Sequence, residues 1–274
     1  LKNPSPPMAD LPQNPKYILQ GNVNWTGVWT LYAKEVRRYL KILGQTIIAP
    51  VVTTFLFLTV FTVAFGADRV VNGLPYIVFL TPGLIMMSIL QNAFANASTS
   101  IIQQKLNQNI VDTLMPPLTS LELTLAFIMG GVTRGLMVAI GVSAALAFFS
   151  PFDIHNIGFV LFHGVGAALL MASAGVMTGV WAEKFDHVST ITNFVILPLS
   201  FLSGTFFTVQ RFPEILLTIT QFNPFFYMID GFRYGFTGQS DGNVMIGLAV
   251  VALANLCTIT GCYAMFRTGY KLRN

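Results

Sequence analysis

The chain has 274 residues, of which 54% are hydrophobic and 9% charged, with a formal net charge of +4 and a mean hydropathy of +0.66. Soluble domains carry charge on roughly a quarter of their residues, so this composition excludes an ordinary soluble globule and points to an all-α integral membrane protein. Nucleic acid is not needed to explain the basic excess, and Cys257 and Cys262, five apart in one apolar run, fit neither disulfide nor metal-ligand spacing.

Residues 1–20 hold five prolines among few apolar residues, which predicts a disordered or extended tail. The remainder, 21–274, reads as a single transmembrane domain. No removable signal peptide is expected, because the first apolar run begins beyond residue 40. Over 24–43 the pattern predicts an interface helix. Asn24 suits the N-cap, Trp25, Trp29, Tyr32, Val36, Tyr39 and Leu43 recur at three- and four-residue steps, and Lys34, Glu35, Arg37, Arg38 and Lys41 fall largely on the other face. Such a helix lies flat on a membrane surface, either as an anchor alone or as a mechanical element that also touches a cytoplasmic partner.

Six apolar runs are long enough to cross about 30 Å of hydrocarbon: 46–66, 76–102, 121–149, 157–181, 188–207 and 243–266. With the N-terminus inside, Lys2, Lys16, Lys34, Arg37, Arg38, Lys41, Lys105, Lys184, Arg267, Lys271 and Arg273 are cytoplasmic, and Arg69, Arg211 and Arg233 are outside. Both termini are therefore expected in the cytoplasm.

In the second run Ser88, Asn92, Asn96, Thr99 and Gln103 follow at three- and four-residue steps, a polar stripe on one helix face. Polar groups in hydrocarbon need partners inside the protein, so the stripe is either helix-to-helix bonding, a pathway or a subunit interface. A short cytoplasmic helix is predicted within 107–117, stopped by Pro116 and Pro117 and followed by Thr119-x-x-Glu122, a capping box for the third span. Arg134 lies about 22 Å from a helix end at Phe149, hence about 8 Å inside the inner boundary. It is read as a snorkelling anchor, a partner for a neighbouring helix, or a substrate contact.

Near the C-terminal third, FNPFFYMIDGFRYGF (222–236) is too polar and too broken by Pro and Gly for a span, and too apolar for a soluble loop. Asn223 and Pro224 suit the N-cap and first turn of a short helix that Gly235 can end. Asp230 and Arg233 share a face and can pair with each other or across a dimer, while Tyr227, Phe232 and Tyr234 suit the interfacial zone.

Enzyme signatures do not emerge: His155, His163 and His187 make no HExxH pair, no GxSxG occurs, and no GxxxxGK[ST] is present to cradle ATP. No catalytic or metal-binding residue is assigned. The rival readings are a membrane-embedded lipid-modifying enzyme and an ATP-independent channel or carrier.

The order of AKEVRRYLK (33–41), TPGLIMMSILQNAFANAS (81–98), MPP (115–117), GGVTRGL (130–136) and LSGTFFTVQRFPEILLTITQFNPFFYMIDGFRYGF (202–236) resembles the permease subunit of type-2 ATP-binding-cassette transporters. It is similar to the YadH-like branch, related to bacterial nodulation-factor, polysaccharide and drug exporters. The resemblance implies a pair of permeases, a homodimer, in the bacterial inner membrane, each copy docking a separate ATPase subunit that uses ATP and Mg. The ATPase-facing residues would be Lys34, Glu35, Arg37 and Arg38 on the interface helix and Asn109, Asp112, Thr113, Leu114 and Pro116 on the coupling helix. It further implies short re-entrant helices within 208–236, at 212–221 and 224–235, on the outer face, with Asn223, Pro224, Tyr227, Asp230 and Arg233 as a wedge or an outer gate. The expected substrate is amphiphilic or lipid-linked, a glycan or a drug.

Overall fold

A computed structural model describes residues 23–66, 68–150 and 154–272, without the side chain of Arg211. The tail expected over 1–20 lies outside the described residues. Helix α1 (Trp25–Leu40) starts where the Asn24 side chain accepts a hydrogen bond from the Gly27 amide. After only Lys41 and Ile42 the chain enters α2 (Leu43–Phe65). A two-stranded hairpin, β1 (Val70–Val71) against β2 (Leu74–Pro75), then reverses the chain. Its turn is Asn72-Gly73, both at positive φ (51° and 79°), the backbone that two-residue hairpins demand.

The second span, α3 (Tyr76–Leu106), leads through α4 (Ile110–Leu114) to α5 (Ser120–Leu146) and α6 (Ile157–Trp181). The fifth crossing is composite: α7 (Phe185–Ile191), a π turn (Thr192–Ile196) and α8 (Leu197–Leu202). Pro198 has no amide to give to the helical ladder, and the wider turn lies directly before it. A short 3-10 turn (Val209–Arg211), α9 (Glu214–Gln221), α10 (Pro224–Thr237) and the last span, α11 (Val244–Thr268), complete the chain. Among the described residues six helices are long and apolar enough to cross a membrane, so this is an all-α, multi-pass membrane protein.

Helix α3 is the hub, with 78% of its apolar window buried against 11% for α2 and for α11, so the latter two carry the faces left for lipid or another chain. Small residues set the close contacts. A Cβ on Gly175 or Gly179 of α6 would lie 2.6 Å from the Phe94 carbonyl or 2.8 Å from the Ser98 carbonyl of α3. Lipid supplies no hydrophobic drive between helices, so such backbone approach is what holds them. Lys105 closes the far end of α6, donating at 2.7 Å to the carbonyls of Val180 and Ala182, where a helix presents negative charge.

Several boundaries differ from the sequence expectation. The third span stops at Leu146 rather than 149. The fifth leaves the helix after Leu202, because Gly204 (φ 79°) turns the chain into the 3-10 segment. The coupling helix has only five residues, since α3 runs on to Leu106 and Asn107 and Gln108 form its exit turn. Helix α10 ends at Gly238, φ 71°, and not at Gly235, which is held inside the helix against Val160.

Candidate functional site

Two polar centres stand out, one at each end of the bundle. The basic end carries α1, α4, the α6–α7 turn and the last residues of α11. Helix α1 is fastened there at both ends. At its start the Asn24 amide donates to Glu122 Oε1 at 2.5 Å, while Glu122 Oε2 accepts from the Thr119 amide at 2.7 Å, so the capping box of α5 also anchors α1. Further along, Gly130 lets α1 sit against α5; a Cβ there would lie 2.8 Å from Glu35 Cβ.

From α4 a continuous chain of bonds runs into the bundle. Lys34 Nζ donates to Thr113 Oγ1 (3.0 Å) and Gln104 Oε1 (3.2 Å), and Thr113 donates to the same Gln104 oxygen at 2.6 Å. Gln104 Nε2 donates to Ser100 Oγ (3.1 Å), and Ser100 donates to Glu35 Oε1 (2.8 Å). Arg38 Nη2 bridges Glu35 Oε2 (3.1 Å), Asn96 Oδ1 (2.8 Å) and the Asn96 carbonyl (3.0 Å). Arg134 Nη1 reaches the same Asn96 Oδ1 at 3.5 Å. Gln104–Ser100 lies within α3 and Arg38–Glu35 within α1, and the remaining links join different elements, so a displacement of α4 or α1 is felt at α3 and α5.

This geometry revises the expected roles. Glu35 is 1% exposed and faces Ser100 and Arg38, so it cannot meet a partner protein; its charge is buried because it is paired. Arg38 also turns inward, and Thr113 is buried, whereas Lys34, Arg37, Asn109, Asp112 and Pro116 are exposed and Leu114 is half-buried. Around α4 a cavity of about 770 Å³ is walled by Ile110, Val111, Leu114 and Met115 with Lys105, Lys271 and Leu272. Lys271 pairs with Glu183 at 2.7 Å. The hydrogen bond holds the Glu183 carboxyl below its usual range and pushes the Lys271 ammonium up.

The stripe on α3 is divided. Ser88 and Asn92 border a groove between α2 and α3, with Ser88 Oγ donating to the Ile85 carbonyl and Asn92 Nδ2 to the Ser88 carbonyl. Asn96 belongs to the network, Thr99 turns back onto the Ala95 carbonyl, and Gln103 is exposed. Sequence reading missed Ser100 and Gln104; both lie at four-residue steps from Asn96, a second stripe legible in retrospect.

At the opposite end, α10 is buried along most of its length rather than interfacial. Asn223 caps it, accepting from the Phe225 amide (3.0 Å) and donating to Ser203 Oγ (2.8 Å). Pro224 occupies the first turn and Tyr227 donates to the Gln221 carbonyl at 2.9 Å. Asp230 and Arg233 make no ion pair. Asp230 accepts instead from the amides of Asp241 (2.7 Å) and Gly242 (3.0 Å), and Arg233 donates to the Gly204 carbonyl (2.5 Å) with its guanidinium 4.0 Å above the Phe79 ring. Backbone groups of the flanking loops are nearer than either side chain is to the other. Asp241, also missed, accepts from Thr208 Oγ1 (2.9 Å), Asn72 Nδ2 (3.2 Å) and the Val209 amide (3.3 Å), tying three loops of this end together. Among the described residues no group of three His, Cys, Asp or Glu is placed to hold a metal ion.

Residues 26–237 match the ABC-2 type transporter family. The chain is 35% identical over 252 residues to the inner membrane transport permease YadH of Escherichia coli, covering 91% of this chain and 98% of that one. It is 24% identical over 236 residues to nodulation protein J of Rhizobium leguminosarum, covering 85% and 90%.

Proposed function

Because the chain belongs to the ABC-2 type transporter family, as one of its permease subunits, we propose that it pairs with a second copy in a bacterial inner membrane and exports an amphiphile under the drive of a separate ATPase, two copies per assembly. The chain itself carries out no ATP chemistry; ATP and Mg act on the partner. Both termini and the basic end face the cytoplasm in this reading, following the bias of Lys and Arg. The observation that carries it is the bond chain from Thr113 and Lys34 to Arg134, which joins α1 and α4 at the basic end to the groove between α2 and α3.

ATP binding draws the two ATPases together and pushes on α4, where Asn109, Asp112 and Pro116 offer the contact and the cavity beside Leu114 and Met115 receives an apolar side chain. Because α1 is fixed to α5 through Glu122 and to α3 through Arg38, the push moves these helices as one body, as alternating access requires. At the outer end Asp230, Asp241 and Arg233 hold α10 against the loops that such a motion has to part. Coexpression with candidate ATP-binding-cassette ATPases from the same genome tests the proposal. A stable complex is expected whose ATPase rate changes when Asp112 and Leu114 are replaced by alanine; no complex with any candidate, or an indifferent rate, refutes it.

A further inference from the structure

The groove between α2 and α3 has a volume of about 400 Å³, and Arg134 is the one charged residue on its wall among the described residues. The helices are antiparallel, so their residue order gives the polarity of the groove along the membrane normal. Gln45, Gln91 and Asn92 stand with Arg134 toward the basic end, and Phe57 and Leu84 line the part nearer the membrane middle. No carboxylate lies on the wall. Arg134 has no ion-pair partner among the described residues, its Nε has no hydrogen-bond acceptor, and its one bond is the long contact with Asn96. Arg38, the charged group sharing that Asn96 oxygen, is itself a cation already matched to Glu35. One positive charge is therefore left uncompensated inside the membrane, where ionisable side chains are paired or functional.

We propose that this groove binds the anionic, phosphate-bearing headgroup of an inner-leaflet lipid, with Arg134 as its counter-charge, Gln91 and Asn92 as amide donors and the acyl chain along Phe57 and Leu84. The polarity order of the groove is that of a lipid in the cytoplasmic leaflet, head toward the basic end and tail toward the middle. A guanidinium offers a planar fork of donors suited to phosphate oxygens. This rests on the export reading for what becomes of the lipid, but not for its binding.

The test uses the purified full-length permease alone, with no ATPase and no ATP, titrated with phosphatidylglycerol or phosphatidylcholine and read by native mass spectrometry for the first bound lipid. Wild type is expected to prefer phosphatidylglycerol about fivefold, the selectivity of one basic residue acting on one anionic headgroup. R134Q abolishes the preference and R134K keeps most of it. Should R134Q fail to fold, Q45E gives the same loss by putting an internal carboxylate on the groove. An unchanged preference in a folded R134Q or Q45E overturns the proposal. Inorganic pyrophosphate is the second probe: failure to displace the lipid at equal concentration is expected, and displacement assigns the site to a free anion, overturning the lipid. Lipid bound through Arg134 in a permease that couples to no ATPase sinks the export reading alone; a coupled permease indifferent to Arg134 sinks this one alone.

Discussion

Replacing Glu35 by Gln keeps the shape of a side chain that is 1% exposed and removes one charge. Gln can still accept from Ser100 at the position now bonded at 2.8 Å, but the atom facing Arg38 Nη2 at 3.1 Å becomes a donor, leaving two donors opposed. A hydrogen bond to a charged group contributes about 1.5–3 kcal/mol, and the Arg38 side chain, 29% exposed, recovers part of that from water. E35Q is expected to cost about 2 kcal/mol, and R38Q a similar amount because it leaves the carboxylate buried with Ser100 alone. In E35Q/R38Q two neutral amides can pair, so the double change costs about 1–2 kcal/mol less than the sum of the singles. Reversible unfolding in mixed micelles against SDS mole fraction measures all three. Additivity within about 0.5 kcal/mol would show that Glu35 and Arg38 do not act as a unit, and would refute the reasoning that Arg38 is what compensates the buried Glu35 charge.

A Cβ on Gly231 would lie 2.1 Å from His163 Nε2, so G231A is expected to destabilise by about 1–3 kcal/mol, and adding H163A should recover part of the loss in the same unfolding assay. D230N exchanges one of two amide-accepting oxygens for a donor; export by the reconstituted complex should fall further than the amount of inserted protein, and equal falls would leave Asp230 a purely structural residue. The Glu183–Lys271 pair contributes at pH above the ordinary titration of Glu183 and is lost as pH falls through its lowered folded value. In W25F/W29F protein, Trp181, whose ring lies 5.9 Å from Lys271 Nζ, should report that loss as an acid-limb change in emission that E183Q removes.

Local features were legible in the sequence because their causes are local. Asn24, the Thr119–Glu122 box and Asn223-Pro224 each satisfy amides within one turn, and each stands where its spacing implied. The six spans followed from apolar length. Glu35 was misread because a helical wheel groups it with Lys34 and Arg37, whereas its burial depends on Ser100, 65 residues away, and on Gly130 leaving room for it. Sequence spacing allowed Asp230 and Arg233 to pair with each other or across a dimer, whereas within the chain each bonds a backbone group on another element. Gly235 and Gly238 are indistinguishable as helix stops until the helix is seen against Val160, which needs the first of them inside. The Asn72-Gly73 turn, which the sequence reading passed over, is set by its own two residues and needs no tertiary contact.

The π turn at Thr192–Ile196 decides which side chains of the fifth span face the groove. Such a turn amounts to one residue more than a regular helix accommodates. Losing any one residue there would restore the ladder and spin the segment back to Phe185 by about 100° relative to α8. Thr192, now on the groove wall, would swing away, and a different side chain of the fifth span would take its place. A single-codon insertion or deletion at this point would thus exchange one groove surface for another by turning the segment back to Phe185 while α8 keeps its place.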